Sequence, residues 1–303
     1  MEGGGTAYGR IYDVVMEEML HMGLAGNMLA SLGGVPEIPV PAYPAWGLPG
    51  GVKPELRVYL KGLTKPVVSE LYMEIEKPEH PLARYALYRG RAYPTVAAFY
   101  DEISDNFGKL EDSDLTAANQ LVDYGVTAQA VFVVDSVKAA QRACLEIKEQ
   151  GEGTTQSPYD DPDFGGGLAH YYRFAEIFHE KTLVPKTGGG WDYGDPPVPF
   201  PQCYPMAEVP AGGYVHQPDL PADVKSNLET FDGAWIDLVR QLRAVWNPAV
   251  AGAPNDKMMS AVWGGMQSLK GPAISLMKQP LFPGAAENYG PDWIYLGDTA
   301  SQR

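Results

Sequence analysis

The sequence predicts an all-α architecture: a helical bundle with long proline- and glycine-rich connectors and extra C-terminal helices. Three observations carry this. Apolar residues recur at helical spacing in most long segments, strand candidates are few, and just over half of the prolines, with clustered glycines, gather in two stretches, Pro36 to Pro54 and Thr187 to Pro221. A chain of 303 residues can bury a large core. The expected organisation is one domain over 1–303, with a bundle core at 1–186, a connector at 187–221 and helices at 222–303 packing on the bundle.

Ile11 to about Ser31 reads as the first helix. Met16, Leu20, Leu24 and Met28 form its apolar stripe, and Gly33-Gly34 supplies a left-handed cap. Pro36, Pro39 and Pro41 force extended backbone, because each proline fixes its own φ and biases its predecessor away from helix. Val58-Tyr59-Leu60 is a short strand or extended segment. Thr64 to Glu76 has a threonine N-cap and apolar Val67, Val68, Leu71, Tyr72 and Ile75, so it reads as a helix that Pro78 and Pro81 end. Pro94 suits the first turn of a helix whose face is Val96, Phe99, Tyr100 and Ile103. The longest periodic segment, Leu115 to Glu149, reads as one amphipathic helix stopped by Gly151-Glu152-Gly153. An acidic, glycine-rich loop follows at 154–167, then a helix from Leu168 to about Thr182. Asp223 to Trp246 and Asp256 to Met277 complete the set.

Composition excludes several functions. Lysine and arginine total 23 against 38 aspartates and glutamates, a net charge of −15, which argues against nucleic acid or an anionic membrane as partner. No run of 18 apolar residues exists to span a bilayer, and the glycine-rich start has no signal-peptide pattern. Cys144 and Cys203, 59 positions apart, read as free thiols in a reducing cytoplasm, with a single bridge left open. The glycine triplets at 165–167 and 188–190 lack the lysine and hydroxyl residue of a phosphate loop, and Asp160, Asp161 and Asp163 lack the spacing of a calcium loop. No serine or cysteine nucleophile can be assembled with a histidine and a carboxylate by pattern.

The chemistry-bearing signal is Glu18 and His21. Three residues apart, they share a helix face with the apolar stripe, so a carboxylate and an imidazole turn inward together. In di-metal helical bundles two such pairs and two further carboxylates converge on a pair of iron or manganese ions. A hydrogen-bonded buried pair is the bland alternative. Of the five histidines, His80 and His216 lie among prolines, where solvated or capping roles fit. His170 and His179 are nine residues apart, about half a turn around one helix, so they cannot both face one core. Pattern by itself picks Glu176 and His179, the literal twin of Glu18 and His21.

Glu18-Met19-Leu20-His21, Asn27-Met28-Leu29-Ala30-Ser31-Leu32-Gly33-Gly34-Val35-Pro36, Thr95-Val96-Ala97-Ala98-Phe99-Tyr100, Glu149-Gln150-Gly151-Glu152-Gly153 and Leu168-Ala169-His170-Tyr171-Tyr172-Arg173-Phe174 occur in that order. Met266-Gln267-Ser268-Leu269, Leu276 to Leu281 and Gly290-Pro291-Asp292-Trp293 follow. Together they resemble the ferritin-like family of iminophenylpyruvate dimer synthases, with the dimerising proteins of violacein and indolocarbazole biosynthesis and short stand-alone ferritin-like proteins. The resemblance spans almost the whole chain and implies a ferritin-like domain that holds iron or manganese, one or two ions, on Glu18, His21, Glu152 and His170. It also implies an oxidoreductase of secondary metabolism that couples imines or α-keto acids derived from aromatic amino acids. Tyr100, Tyr171, Tyr172 and Phe174 are candidates for the pocket lining. A small-molecule substrate is the expected partner, with a homo-oligomer or a partner oxidase.

Two departures stand out. No helix precedes the Glu-x-x-His helix to supply the family's first carboxylate, and Ala98 stands where the family has glutamate before Phe-Tyr. Glu102, Glu17 or Asp13 are the available substitutes. A single-metal site, or a degenerate protein that serves as a binding or assembly partner with no metal, is the competing expectation.

Overall fold

The computed structural model describes residues 6–78, 92–125, 129–154, 156–214, 217 and 219–294. His80, His216 and Pro81 lie outside these, as do 126–128 in the segment expected to be the longest helix. The chain divides into two compact units. The first comprises Met1–Gly34, Gly47–Leu56 and Thr64–Gln202, and the second Val35–Trp46, Arg57–Leu63 and Cys203–Arg303.

In the first unit, α1 (Ala7–Ser31) starts four residues before the predicted point because the Thr6 side chain accepts the Gly9 N–H. It ends as the sequence indicates: Gly33 has φ +76°, and the N–H groups of Gly33 and Gly34 close on Ala30 and Leu29. Leu20, Leu24 and Met28 are buried as predicted, and Met16 is half-buried. α2 (65–76) is capped by Thr64 and carries a π-helical turn, Val68–Tyr72, between α-helical ends. The Lys53 ammonium covers its far end by donating to the carbonyls of Ile75 and Lys77 at 3.0 and 2.9 Å. α3 is Val96–Phe107. Thr95 is its N-cap, so Pro94 lies just outside the helix rather than in its first turn. α4 (Val137–Glu152) and α5 (His170–His179) complete a bundle in which α1 packs on α4 and α5, α2 on α5, α3 on α4, and α4 on α5.

Two expectations fail here. The long helix over 115–149 begins only at Val137, where the Ser136 hydroxyl caps it. Upstream, Asn119 and Asp123 take positive φ, and two short strands, β3 (Tyr124–Gly125) and β4 (Ala130–Val131), pair instead. Tertiary bonds hold this segment open. Asn27 of α1 accepts the Leu121 N–H at 2.9 Å and donates to the carbonyls of Leu121 and Phe132, each at 2.9 Å. Gly23 lets β4 approach α1, since a Cβ there would stand 2.5 Å from Val131. The helix expected to run to Thr182 stops at His179, where Glu180 turns left-handed, and β5 (Lys181–Pro185) then pairs antiparallel with β6 (Trp191–Pro197). With β1 (Ala45–Leu48) and β2 (Val52–Val58), the described residues hold three two-stranded sheets. The fold is therefore mainly helical, not all-α.

In the second unit, α6 (Ala222–Ala244) packs on α7 (254–277), and Phe231, Leu238, Val239 and Leu276 are buried. α7 contains a π-helical turn, Ala261–Met266, and Gly265 there meets Leu238, to which a Cβ would come within 2.8 Å. The connectors are tied down by backbone bonds, as their composition demands. Arg243 donates to the Ile38 carbonyl at 2.8 Å, and Val209 N–H to Leu60 at 2.9 Å.

Candidate metal centre

α1 presents Glu17, Glu18 and His21 to α5, which begins at His170. One ligand atom each from Glu18, His21 and His170 lies within 4.8 Å of the others. Glu18 Oε1 is 3.0 Å from His170 Nδ1 and 3.5 Å from His21 Nδ1, and the two imidazoles stack at 5.4 Å. Both histidines are buried, and although half of the Glu18 side chain is exposed, its Oε1 is turned in toward them.

The other ring nitrogens decide what the cluster can hold. His21 Nε2 is 2.8 Å from Gln150 Oε1, and His170 Nε2 is 2.9 Å from Glu17 Oε2. Both partners are acceptors there, so each Nε2 carries a proton, and each Nδ1 is on the Glu18 side of its ring. Ligating histidines in metal sites are held this way, with the outer nitrogen donating to a carboxylate or amide oxygen. Gln150 is itself oriented by its bond to the Phe164 carbonyl at 2.9 Å, and Glu17 by Arg173 at 2.8 Å. His170 Nδ1 is buried without an aligned hydrogen-bond partner. This set fits one divalent cation: two neutral imidazoles and a carboxylate, with Glu76 Oε2 at 3.8 Å from His170 Nδ1 as a further oxygen.

Electrostatics agrees. Burial opposes ionisation of Glu18, but His21 and His170 outweigh it and hold its carboxyl well below the usual range. Glu17 is likewise lowered against its burial, by His170 and Arg173. Burial disfavours the charged form of His170, yet Glu17, Glu18 and Glu76 raise it well above its ordinary value. A proton on Nδ1 thus answers the surrounding carboxylates, and a divalent cation answers them equally while also satisfying His21.

Glu152 is not in this cluster. It is buried, and its Oε1 accepts the Ala97 N–H at 2.8 Å. Burial pushes its carboxyl up to about 8, against that bond and Lys53, with Glu76 adding to the rise. On the same helix Glu146 is almost fully buried with neither oxygen bonded, and burial raises it to about 7.

His170, not His179, stands with His21. Glu176 and His179 serve the fold: Glu176 pairs with Arg10 and accepts the Leu183 N–H at 2.6 Å, and His179 stacks on Tyr193 at 4.2 Å. Of the candidate substitute carboxylates, Glu17 reaches His170, Asp13 is exposed, and Glu102 is exposed and accepts the Tyr93 hydroxyl at 2.7 Å. Tyr100 is pushed up by burial and by Glu18, whereas Phe174 packs on Tyr72 and Tyr171 on Tyr172. Sequence reasoning missed Gln150 and Glu76. Gln150 had a usable signal, since it falls on the inward face with Ala140, Ala143 and Ile147. Glu76 had none, because it follows a π-helical turn that shifts its face.

No curated protein matches the chain at a significant level. A crystal structure of a ferritin-like protein from Caulobacter vibrioides superposes with a TM-score of 0.56 and 18% identity, covering 94% of this chain and 86% of that one. At that identity the likeness establishes the fold. The Ferritin-like family model matches residues 5–179, more than half of the sequence and the part that carries the cluster described above, so the chain belongs to the Ferritin-like family.

Proposed function

We propose that the protein is a metal-dependent oxidoreductase that holds a single iron or manganese ion on Glu18, His21 and His170 and acts on a small organic substrate. The observation that supports it is the gathering of one ligand atom each from Glu18, His21 and His170 within 4.8 Å of one another, with both Nε2 protons held by Gln150 and Glu17. Two histidines and a carboxylate are the donor set of non-haem iron oxygenases, and such an ion supplies oxygen activation and single-electron chemistry when bound.

The chain's own residues have definite tasks. Gln150 and Glu17 fix the tautomers, Arg173 fixes Glu17, and Glu76 adds a carboxylate beside His170. Tyr100, raised by burial and Glu18, keeps its phenolic proton at neutral pH. Glu152, with its carboxyl near 8, is a proton donor close to Glu76. In finer detail, we read the substrate as an imine or α-keto acid derived from an aromatic amino acid, coupled oxidatively. That reading rests on the resemblance to iminophenylpyruvate dimer synthases, in which Glu152 would be a fourth ligand.

A second reading has one observation of its own. With His170 protonated, His170 and Arg173 offset two of the three carboxylate charges of Glu17, Glu18 and Glu76 without a metal, as a non-catalytic binding or assembly partner would require. Metal titration of the purified protein with Fe(II) under anaerobic conditions and with Mn(II) separates the two. Stoichiometric binding that is lost in His21→Ala and His170→Ala, and kept in His179→Ala, is the expected result. No binding of either metal overturns the enzyme reading.

A further inference from the structure

In the second unit, residues 292–294 strap across α6, and two carboxyl groups hold them there. Asp232, on α6 next to the buried Phe231, accepts the Ile294 N–H at 3.2 Å, and Asp292 Oδ2 accepts the Tyr214 N–H at 3.0 Å. Between these bonds Trp293 meets Phe231 and Trp235 edge to face, each at 4.9 Å. Its backbone takes φ +56°, a conformation that a bulky residue holds only when its surroundings impose it. Gly213 makes room for the strap: a Cβ there would stand 2.5 Å from Asp292 Oδ2.

The carboxyl groups of Asp232 and Asp292 are hydrogen-bonded to each other, and Asp292 is buried. Its Oδ1 meets no N–H or hydroxyl donor. A carboxylate only accepts, so two of them in contact leave an oxygen unanswered unless one carries a proton. Asp232 is the carrier. Burial and Asp292 push its carboxyl up to about 8, and burial raises Asp292 as well. The titratable groups around the pair bring no relief. Tyr214 is pushed up to about 12 by burial and Asp292, and Tyr289 and Glu287 lie beyond it. On α6, Glu229 pairs with Lys225 at 3.9 Å. Among the described residues, no lysine, arginine or histidine of α6, α7 or the strap acts on either carboxyl.

We propose that Asp232 and Asp292 form a proton-operated latch: the shared proton holds residues 292–294 on α6, and its loss to water through half-buried Asp232 releases them and uncovers Phe231 and Trp235. Both groups start from an ordinary value of 3.8, so the closed latch binds the extra proton. Its contribution to stability is fully present below pH 3.8 and is lost as pH rises through about 8. Without the proton two like charges lie side by side, and the bonds to Ile294 and Tyr214 then tie down groups that repel each other. The latch lies in the second unit and uses no metal, so it goes beyond the proposed function and stands or falls apart from it.

Amide hydrogen exchange of the full-length protein, with the intrinsic pH dependence of exchange divided out, tests the latch. Ile294 and Tyr214 lose about tenfold protection between about pH 6 and 9, because one unit above a pKa of about 8 ionisation favours the open state about tenfold. Val239, buried on α6, stays level over the same range. Acrylamide quenching of Trp293, read as the difference from Trp293→Phe, rises in parallel. Asp232→Asn keeps a carbonyl for Ile294 and an N–H donor for Asp292 without titrating, so its protection stays level; Asp292→Asn does the same from the other side. Level protection of Ile294 in the wild type, an equal loss at Val239, or an equal loss at Ile294 in either natively folded asparagine variant overturns the inference.

Discussion

Replacing Gln150 by leucine removes the side chain that holds His21 in the tautomer a metal needs. Gln150 is fully buried, accepts from His21 Nε2 at 2.8 Å and donates to the Phe164 carbonyl at 2.9 Å, so the substitution leaves two buried polar groups unpaired. Losing a partner that orients a ligating histidine weakens metal affinity by about 10–100-fold, or about 1.4–2.8 kcal/mol. Each unpaired group also lowers stability by about 1–3 kcal/mol. Gln150→Glu separates the two effects: it keeps an acceptor for His21 and loses only the donor to Phe164. Metal titration and urea unfolding of the apoprotein give both quantities. We expect the leucine variant to lose both affinity and stability, and the glutamate variant to lose stability while holding affinity within about threefold. The reasoning is refuted if the leucine variant binds metal like the wild type, or if both variants lose affinity equally.

Three further outcomes follow from the same geometry. Glu146 has its folded pKa raised to about 7 from an unfolded value of 4.5, so the folded state binds the extra proton between those values. Its contribution is fully present below pH 4.5 and is lost as pH rises through 7; Glu146→Gln removes this share of the slope, up to about 3 kcal/mol between pH 4.5 and 8, read as the wild-type minus variant difference in urea unfolding. Asn27→Ala breaks three bonds to the backbone of the 121–132 segment and lowers stability by about 2–4 kcal/mol, with loss of hydrogen-exchange protection at Leu121 as its local signature. Gly153→Ala places a Cβ 2.8 Å from the Ser157 carbonyl at φ +85° and lowers the thermal midpoint, whereas Gly188→Ala, with open space around it, changes it less.

How much of this was legible in the chain differs by element. Local chemistry set the helix boundaries: Thr64, Thr95 and Ser136 are caps whose hydroxyls accept the first free N–H groups, and Gly33 takes the left-handed turn that only glycine adopts without strain. Periodicity found the helices α1, α3 and α6 and the pairing of Glu18 with His21. It failed over 115–136 because the apolar spacing there is compatible with a helix, while Asn27, 94 residues from Leu121, offers that backbone better partners. β5 and β6 were hidden for a related reason, since Trp191–Pro197 reads as loop by its glycine and prolines and becomes a strand only against Lys181–Pro185.

The candidate site divides in the same way. From the sequence alone came the pair Glu18 and His21, a consequence of 3.6 residues per turn, and the half-turn separation that allows only one of His170 and His179 inside. Tertiary structure decided the rest. It chose His170, turned Glu176 to Arg10, sent Glu102 to Tyr93, and brought Gln150, Glu76 and Glu17 to the two imidazoles. Those residues lie on four helices and meet only when α1, α2, α4 and α5 pack. Direction in space, not residue type, makes a carboxylate a ligand, a brace or a surface charge, and a sequence carries direction only as far as one helix extends.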